Sequence, residues 1–330
     1  MPDRPAHAAP PPADRPMFLS CGEALWDLFA AERDGGLSFD ARIGGSPFNV
    51  AVGLVRLGVA SGMLAGVSTD RLGARLMRAL REEGVDARFV RRKDAPTTLS
   101  LVDVGSDGAP AYAFYGAGGA DRAIEPDDLP PADAPIWGVH AGSYSLTAEP
   151  IGSSLLRLFE RERGRRLLCL DPNVRLGVIP DPALWRARIE AFAALADLVK
   201  ISAEDIGLLW PGVEPAELAA RWRAAGAALV VVTHGAEGAE AFGPAGRTRA
   251  PARRVRAVDA VGAGDTFQAA LIAGLDAAGA RSRAALSALG GEDIARIMNF
   301  AAAAAALTCA RRGADLPRRA EVEAFAREAV

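Results

Sequence analysis

Lysine is nearly missing from this 330-residue chain: Lys93 and Lys200 are the only two, among 38 lysines and arginines together. The positive charge therefore rests on arginine, which reads as a bias of the coding sequence and carries no functional weight. Nor does one sign of charge dominate. A formal charge of −3 and a pI near 5.8 leave no broad positive field of the kind that duplex nucleic acid or an anionic membrane selects. Small-molecule chemistry is the expectation, with neither nucleic acid nor membrane as partner. Cysteine is also scarce. Cys21, Cys169 and Cys309 are odd in number, far apart and set among apolar neighbours, which argues against a disulfide framework or a zinc site and for reduced thiols in a cytoplasmic protein. Long hydrophobic runs are absent: the longest uncharged apolar stretch, 300–310, falls far short of the roughly 20 residues that span a bilayer. Residues 1–16, rich in proline and alanine, lack the continuous apolar stretch of a secretory signal and read as a disordered tail. Two nucleotide signatures are missing as well. There is no G-x-x-x-x-G-K-[ST], and Gly262-Ala263-Gly264 continues to Phe267 where a dinucleotide fingerprint has its third glycine, so a P-loop enzyme and a Rossmann dehydrogenase are disfavoured.

What is present is an alternation. Half of the residues are hydrophobic, enough for a sizeable core. Short runs rich in leucine, valine and isoleucine, at 17–21, 61–67, 165–170, 197–201 and 228–233, alternate with segments of helical period at 47–57, 70–83, 147–162, 181–195 and 214–225. That rhythm predicts an α/β fold with a largely parallel sheet. Two stretches break it. About 25–43 and 98–115 read as strand pairs, with turns at Asp34-Gly35-Gly36 and Ser106-Asp107-Gly108; together they would make one small sheet, a lid over a site. No repeat and no Pro/Gly/Ser-rich linker interrupts the chain after residue 17, so one domain over 17–330 is expected.

The most informative stretch is Val258-Asp259-Ala260-Val261-Gly262-Ala263-Gly264-Asp265-Thr266-Phe267, followed by a strongly helical run to about residue 278. Two glycines at a helix start let the backbone approach a ligand, and the free N–H groups of the first turn together with the helix dipole make an anion site. An aspartate in that turn is placed to take the proton from an alcohol lying beside the same phosphate. The bland alternative is a tight turn with Asp265 as an ordinary first-turn residue, and this segment alone leaves both open.

More than 200 residues earlier stands Gly44-Gly45-Ser46-Pro47-Phe48-Asn49-Val50-Ala51, leading to Leu57-Gly58. The two segments in this order resemble the signatures of the ribokinase-like carbohydrate kinases, the PfkB family, over about residues 17–317. The resemblance implies a three-layer α/β/α core with a largely parallel central sheet and a small β-sheet lid. It implies ATP-dependent phosphorylation of a sugar primary hydroxyl, with Asp265 as base and the amides of Gly262, Ala263 and Gly264 as anion hole. Sugar contacts are implied at Asp27, whose alternative is a turn residue, and at Gly44, Gly45, Asn49 and Asp265. Arg175, in the fructokinase-like Asp171-Pro172-Asn173-Val174-Arg175, is implied as a sugar or phosphate contact. Phe114, of the fructokinase-like pair Phe114-Tyr115, either stacks on sugar or, the favoured reading, seals the lid.

On the nucleotide side the resemblance implies Lys200, Ser202, Thr233, Gly235, Gly238, Gly262, Gly264 and Asn299. The segment from Lys200 to Asp205 departs from the family's N-x-x-E: Ser202 takes the Asn place and Asp205, the candidate magnesium ligand, takes the Glu place. Carbonyls around Asp259, Val261 and Gly313 are implied as a potassium site. Fructose is the first choice of acceptor, with 2-keto-3-deoxygluconate, ribose or a nucleoside as alternatives, an inactive sugar- or nucleotide-binding module as the non-enzymatic one, and a homodimer through the lid as the expected assembly.

Overall fold

Leu167 to Asp171 is apolar at every position but the last, a pattern stable as a strand only where both faces are covered. The structure, a computed structural model, covers them. It describes residues 16–33, 35–104 and 110–327; the expected tail before Pro16, and the expected turn residues Asp34, Ser106, Asp107 and Gly108, lie outside these. In chain order the strands are β1 (Met17–Cys21), β2 (Leu25–Arg33), β3 (Gly36–Gly44), β4 (Ser61–Ser68), β5 (Val90–Lys93), β6 (Leu99–Val104), β7 (Pro110–Tyr115), β8 (Ile136–Gly142), β9 (Leu167–Asp171), β10 (Leu198–Ser202), β11 (Leu229–Thr233), β12 (Ala239–Gly243) and β13 (Gly246–Ala250). The helices are α1 (Ser46–Arg56), α2 (Arg71–Glu82), α3 (Ile151–Glu162), α4 (Pro182–Ala193), α5 (Ala203–Leu209), α6 (Pro215–Ala225), α7 (Ala263–Ala277), α8 (Arg283–Ser287), α9 (Gly291–Cys309) and α10 (Arg319–Arg327).

Among the described residues nine strands form the large sheet, in the order β13-β12-β11-β10-β9-β8-β1-β4-β5. All neighbours pair parallel except at β11-β12 and β12-β13. The period of two along each strand sorts its side chains into two cores. Leu168, Leu170, Val199, Ile201, Val230 and Val232 face α3 to α6, while Leu167, Cys169, Leu198, Leu229 and Val231 face α1, α7 and α9. Continuing the second set by two residues puts Asp171, Lys200 and Thr233 on the α7 side, at the carboxyl ends of adjacent strands. The strand order reverses between β1 and β8, and open α/β sheets bind ligands outside the carboxyl ends at such a switch. No helix among the described residues is long and apolar enough to cross a membrane.

The two irregular stretches form one four-stranded sheet, β3-β2-β6-β7. Arg42, Asp27, Ser100 and Phe114 stand in a single cross-strand row on the face toward the large sheet. The other face carries Leu37, Phe39 and Tyr115, which are 70%, 43% and 65% exposed.

Candidate active site

Helix α7 is preceded by its cap Gly262, whose φ of 78° lies in the left-handed region that favours glycine. The same glycine lets the chain pass close to Ala314, whose Cα would stand 2.9 Å from any Cβ at 262. The amide of Ala263 donates to the carbonyl of Ala260 at 3.2 Å. The Ala263 N–H closes the turn, while the N–H groups of Gly262 and Gly264 have no backbone acceptor among the described residues. Val261 N–H is also taken, by Asp259.

Asp265, one residue further along, is 7% exposed. Ser46 Oγ donates to its Oδ1 at 2.6 Å, Asn49 Nδ2 to its Oδ2 at 2.8 Å, and Asn173 Nδ2 to Oδ1 at 3.4 Å. Ser46 and Asn49 lie three apart at the start of α1, so they share a face. They reach Asp265 because α1 and α7 pack closely: a Cβ on Gly53 would stand 2.8 Å from that of Ala269. Two helix N-termini thus meet at one carboxylate, and their dipoles favour negative charge there. Asn173 holds φ 40°, a conformation asparagine tolerates better than most residues.

Lys200 is buried, at 4% exposed. Its Nζ lies 2.7 Å from Asp171 Oδ2 and would stand 3.2 Å from a Cβ on Gly264, so the ammonium sits beside the amide turn. Burial pushes the Asp171 carboxyl up to about 6 against the pull of Lys200, with Asp205 and Asp265 adding to the rise. Burial also raises Asp205, against Lys200 and Arg175, and raises Asp27, against Ser100 and Arg175. Asp205 accepts from the amide of Val174, and Ser202 Oγ caps α5 by accepting from Asp205 N–H. These two residues therefore hold the chain around the site. A methyl on Gly44 would stand 2.0 Å from Asp27 Oδ2, so glycine at 44 gives the Asp27 carboxylate its place. Gly45 holds φ 105°, again a glycine conformation. Arg175 is exposed and donates to the carbonyls of Asn173 and Val174.

Some of the residues expected on the nucleotide side lie further along the same edge. Thr233 ends β11 beside Ser202, and Gly235 and Gly238 hold φ 55° and 99° in the loop that follows. Asn299 is half-buried on α9. Asp259 joins two loops, accepting from Val261 N–H at 3.0 Å and from Gly313 N–H at 2.9 Å. The Gly313 carbonyl accepts from Asp315 N–H.

Sequence reasoning assigned no role to a second buried network. Tyr144 OH and Thr98 Oγ1 donate to Asp121, and Ser145 Oγ donates to Glu23. Phe114 packs edge-on to Tyr144, with ring centroids 6.3 Å apart. Burial pushes the Glu23 carboxyl up to about 7, opposed mainly by Ser145 and Ser143. Glu23 precedes β2, Thr98 precedes β6 and Asp121 follows β7, so these groups sit where the chain passes between the sheets. A buried acid flanked by glycine and alanine at the end of a hydrophobic strand, as in Gly22-Glu23-Ala24, was the available signal.

A carboxylate that accepts from three amide and hydroxyl donors, set beside open amides at a helix start and a buried lysine, is suited to handling an alcohol next to a phosphoryl group. Comparison with known proteins agrees: residues 17–320 match the pfkB family carbohydrate kinase. The chain belongs to this family. The kinase is 39% identical over 262 residues to a fructokinase of Rhizobium leguminosarum bv. trifolii, covering 78% of this chain and 79% of that one. Its fold superposes on the fructokinase of Xylella fastidiosa with bound ATP at a TM-score of 0.87, with 28% identity over 94% of this chain and 98% of that one. It superposes on the fructokinase of Vibrio cholerae O395 with fructose, ADP and calcium ion at 0.81, with 26% identity, covering 94% and 99%. The kinase is thus a ribokinase-like α/β enzyme that transfers a phosphoryl group from ATP to a sugar.

Four carboxylates, Asp27, Asp171, Asp205 and Asp265, face two cations, Lys200 and Arg175, an excess of two negative charges. Asp171 Oδ1 is buried without a hydrogen-bond partner. No group of three or more histidine, cysteine or acidic side chains suited to a metal occurs among the described residues. That donor set fits a divalent ion carried mainly by nucleotide phosphates and water, with one or two carboxylates near it.

Proposed function

We propose that the kinase phosphorylates the primary hydroxyl of fructose, with Asp265 as the base. The observation that carries this reading is the Asp265 carboxylate, fixed by Ser46, Asn49 and Asn173 one residue beyond the open amide of Gly264. Fixing both oxygens orients a lone pair toward the acceptor before it arrives, which lowers the cost of reaching a reactive geometry. The amides of Gly262 and Gly264 and the ammonium of Lys200 stabilise charge on the transferring group. The sugar lies between Asp265 and the row Arg42, Asp27, Ser100 and Phe114, with Asp27 and Asn49 accepting from and donating to its hydroxyls. The small sheet acts as a lid that excludes water, which otherwise competes as acceptor. Thr233, Gly235, Gly238 and Asn299 line the nucleotide side. Asp171 and Asp205 would stand near a magnesium ion that offsets phosphate charge, and carbonyls around Asp259, Val261 and Gly313 near a potassium ion.

The fructokinase names among the relatives support fructose. An assay of ADP release over a panel of fructose, ribose, 2-keto-3-deoxygluconate and a nucleoside tests the choice: the largest kcat/KM is expected for fructose, and a larger value for another acceptor overturns it. Arg175, exposed and bonded to neighbouring carbonyls, would favour a carboxylated acceptor. Charge reversal at Arg175 separates the two, since it should hurt the acid far more than fructose. The apolar outer face with Leu37, Phe39 and Tyr115 supports pairing with a second copy of this chain, since one patch meeting itself is what a two-fold dimer needs.

A further inference from the structure

Arg42 projects from β3 on the face toward the large sheet. Its Nη1 donates to the carbonyl of Arg312 at 2.9 Å, while Nε and Nη2 are braced on Asp40 Oδ2 at 3.2 and 2.9 Å. The N–H of that same Arg312–Gly313 peptide donates to Asp259 Oδ2. One peptide group is therefore gripped at its oxygen from the small sheet and at its hydrogen from the loop that leads into α7. Fit is close on both sides: a Cβ on Gly313 would stand 2.5 Å from Arg42 Nη1, and one on Gly262 would stand 2.6 Å from the Cβ of Ala314. The other end of the segment is fixed by α1, where Arg56 Nη1 donates to Asp315 and to the carbonyl of Leu316. Asp27 stands directly opposite Arg42 in the β2-β3 register.

We infer that Arg42 is a positioning residue that couples the sugar-holding sheet to the phosphoryl-holding start of α7 through the Arg312–Gly313 peptide. The inference rests on the reading that sugar lies under the small sheet and the phosphoryl group at Gly262 and Gly264. A sugar that orders Asp27 orders its cross-strand neighbour, and Arg42 passes that order to the 312–314 loop packed behind Gly262. By linkage, nucleotide bound at α7 then strengthens sugar binding by the same factor.

The test compares wild type with Arg42→Ala, Arg42→Gln and Arg42→Lys. Titration calorimetry with a non-hydrolysable ATP analogue, with and without fructose, gives the coupling factor, and hydrogen exchange of residues 310–316 gives the state of the loop without needing activity. In wild type fructose is expected to tighten the analogue by about tenfold. In the alanine and glutamine variants that factor should fall below about twofold, the Gly313 amide should exchange about tenfold faster, and Lys should restore part of both. If the alanine variant does not fold, the glutamine variant decides. A folded variant with unaltered coupling and unaltered exchange overturns the inference. A wild type that neither phosphorylates nor senses fructose refutes the proposed function instead, and the exchange arm still decides whether Arg42 holds the loop.

Discussion

At the scale of single residues, the site depends on groups that hold other groups still. Asp265 takes hydrogen bonds from Ser46, Asn49 and Asn173, so replacing it with asparagine removes the proposed proton acceptor while keeping shape and most contacts. Asp265→Asn is expected to lower kcat by about 10² to 10⁴ with sugar KM nearly unchanged, read by steady-state kinetics; normal turnover would remove Asp265 from the mechanism. Gly44→Ala tests a different link. The added methyl would occupy the place of Asp27 Oδ2, and displacing that carboxylate should raise the KM for fructose by about 10-fold or more while the KM for ATP stays within about twofold. Equal losses on both substrates would mean that Asp27 does not hold the sugar. Part of this geometry was legible: Asp171 ends an apolar run, at the strand edge where open sheets bind ligands, while the shared face of Asp171, Lys200 and Thr233 toward α7 follows from the strand register and the core. The grip of Ser46 and Asn173 on Asp265 was not, because it depends on how α1 and the 172–175 turn approach α7 in space.

At the scale of elements, the apolar runs marked β1, β4, β9, β10 and β11 because parallel strands buried on both faces must be apolar on both. The same rule explains the strands that the pattern missed. In β8, Ile136–Gly142, a tryptophan, two glycines and a histidine interrupt the run. The β12–β13 hairpin carries Glu240, Arg247 and Arg249 on an edge that needs no second apolar face. The passages between the sheets hold the buried acids Glu23 and Asp121. The Glu23 carboxyl is raised from 4.5 to about 7, so the folded state holds its proton more tightly than the unfolded chain. Its contribution to stability is full below pH 4.5 and is lost as pH rises through 7. Glu23→Gln should therefore gain on wild type between pH 5 and pH 8 by about 1 to 3 kcal/mol, measured by denaturant melts at both pH values. A constant difference would show that Glu23 ionises as freely folded as unfolded.

At the scale of the molecule, the outer face of the small sheet is the place where composition and architecture disagree, since large apolar side chains there meet solvent in a single chain. Leu37→Glu combined with Phe39→Glu is expected to convert a dimer to a monomer in light scattering. A wild type that scatters as a monomer at high concentration would end the proposal. A last consequence concerns time of synthesis. Ser46 and Asp265 are 219 residues apart in sequence, and contacts so distant form late. A nascent chain that ends before residue 265 already carries the segments of all the described strands, yet it lacks the carboxylate that Ser46 and Asn49 grip. The carboxylate and the groups that hold it therefore come together only after about four-fifths of the sequence has been made.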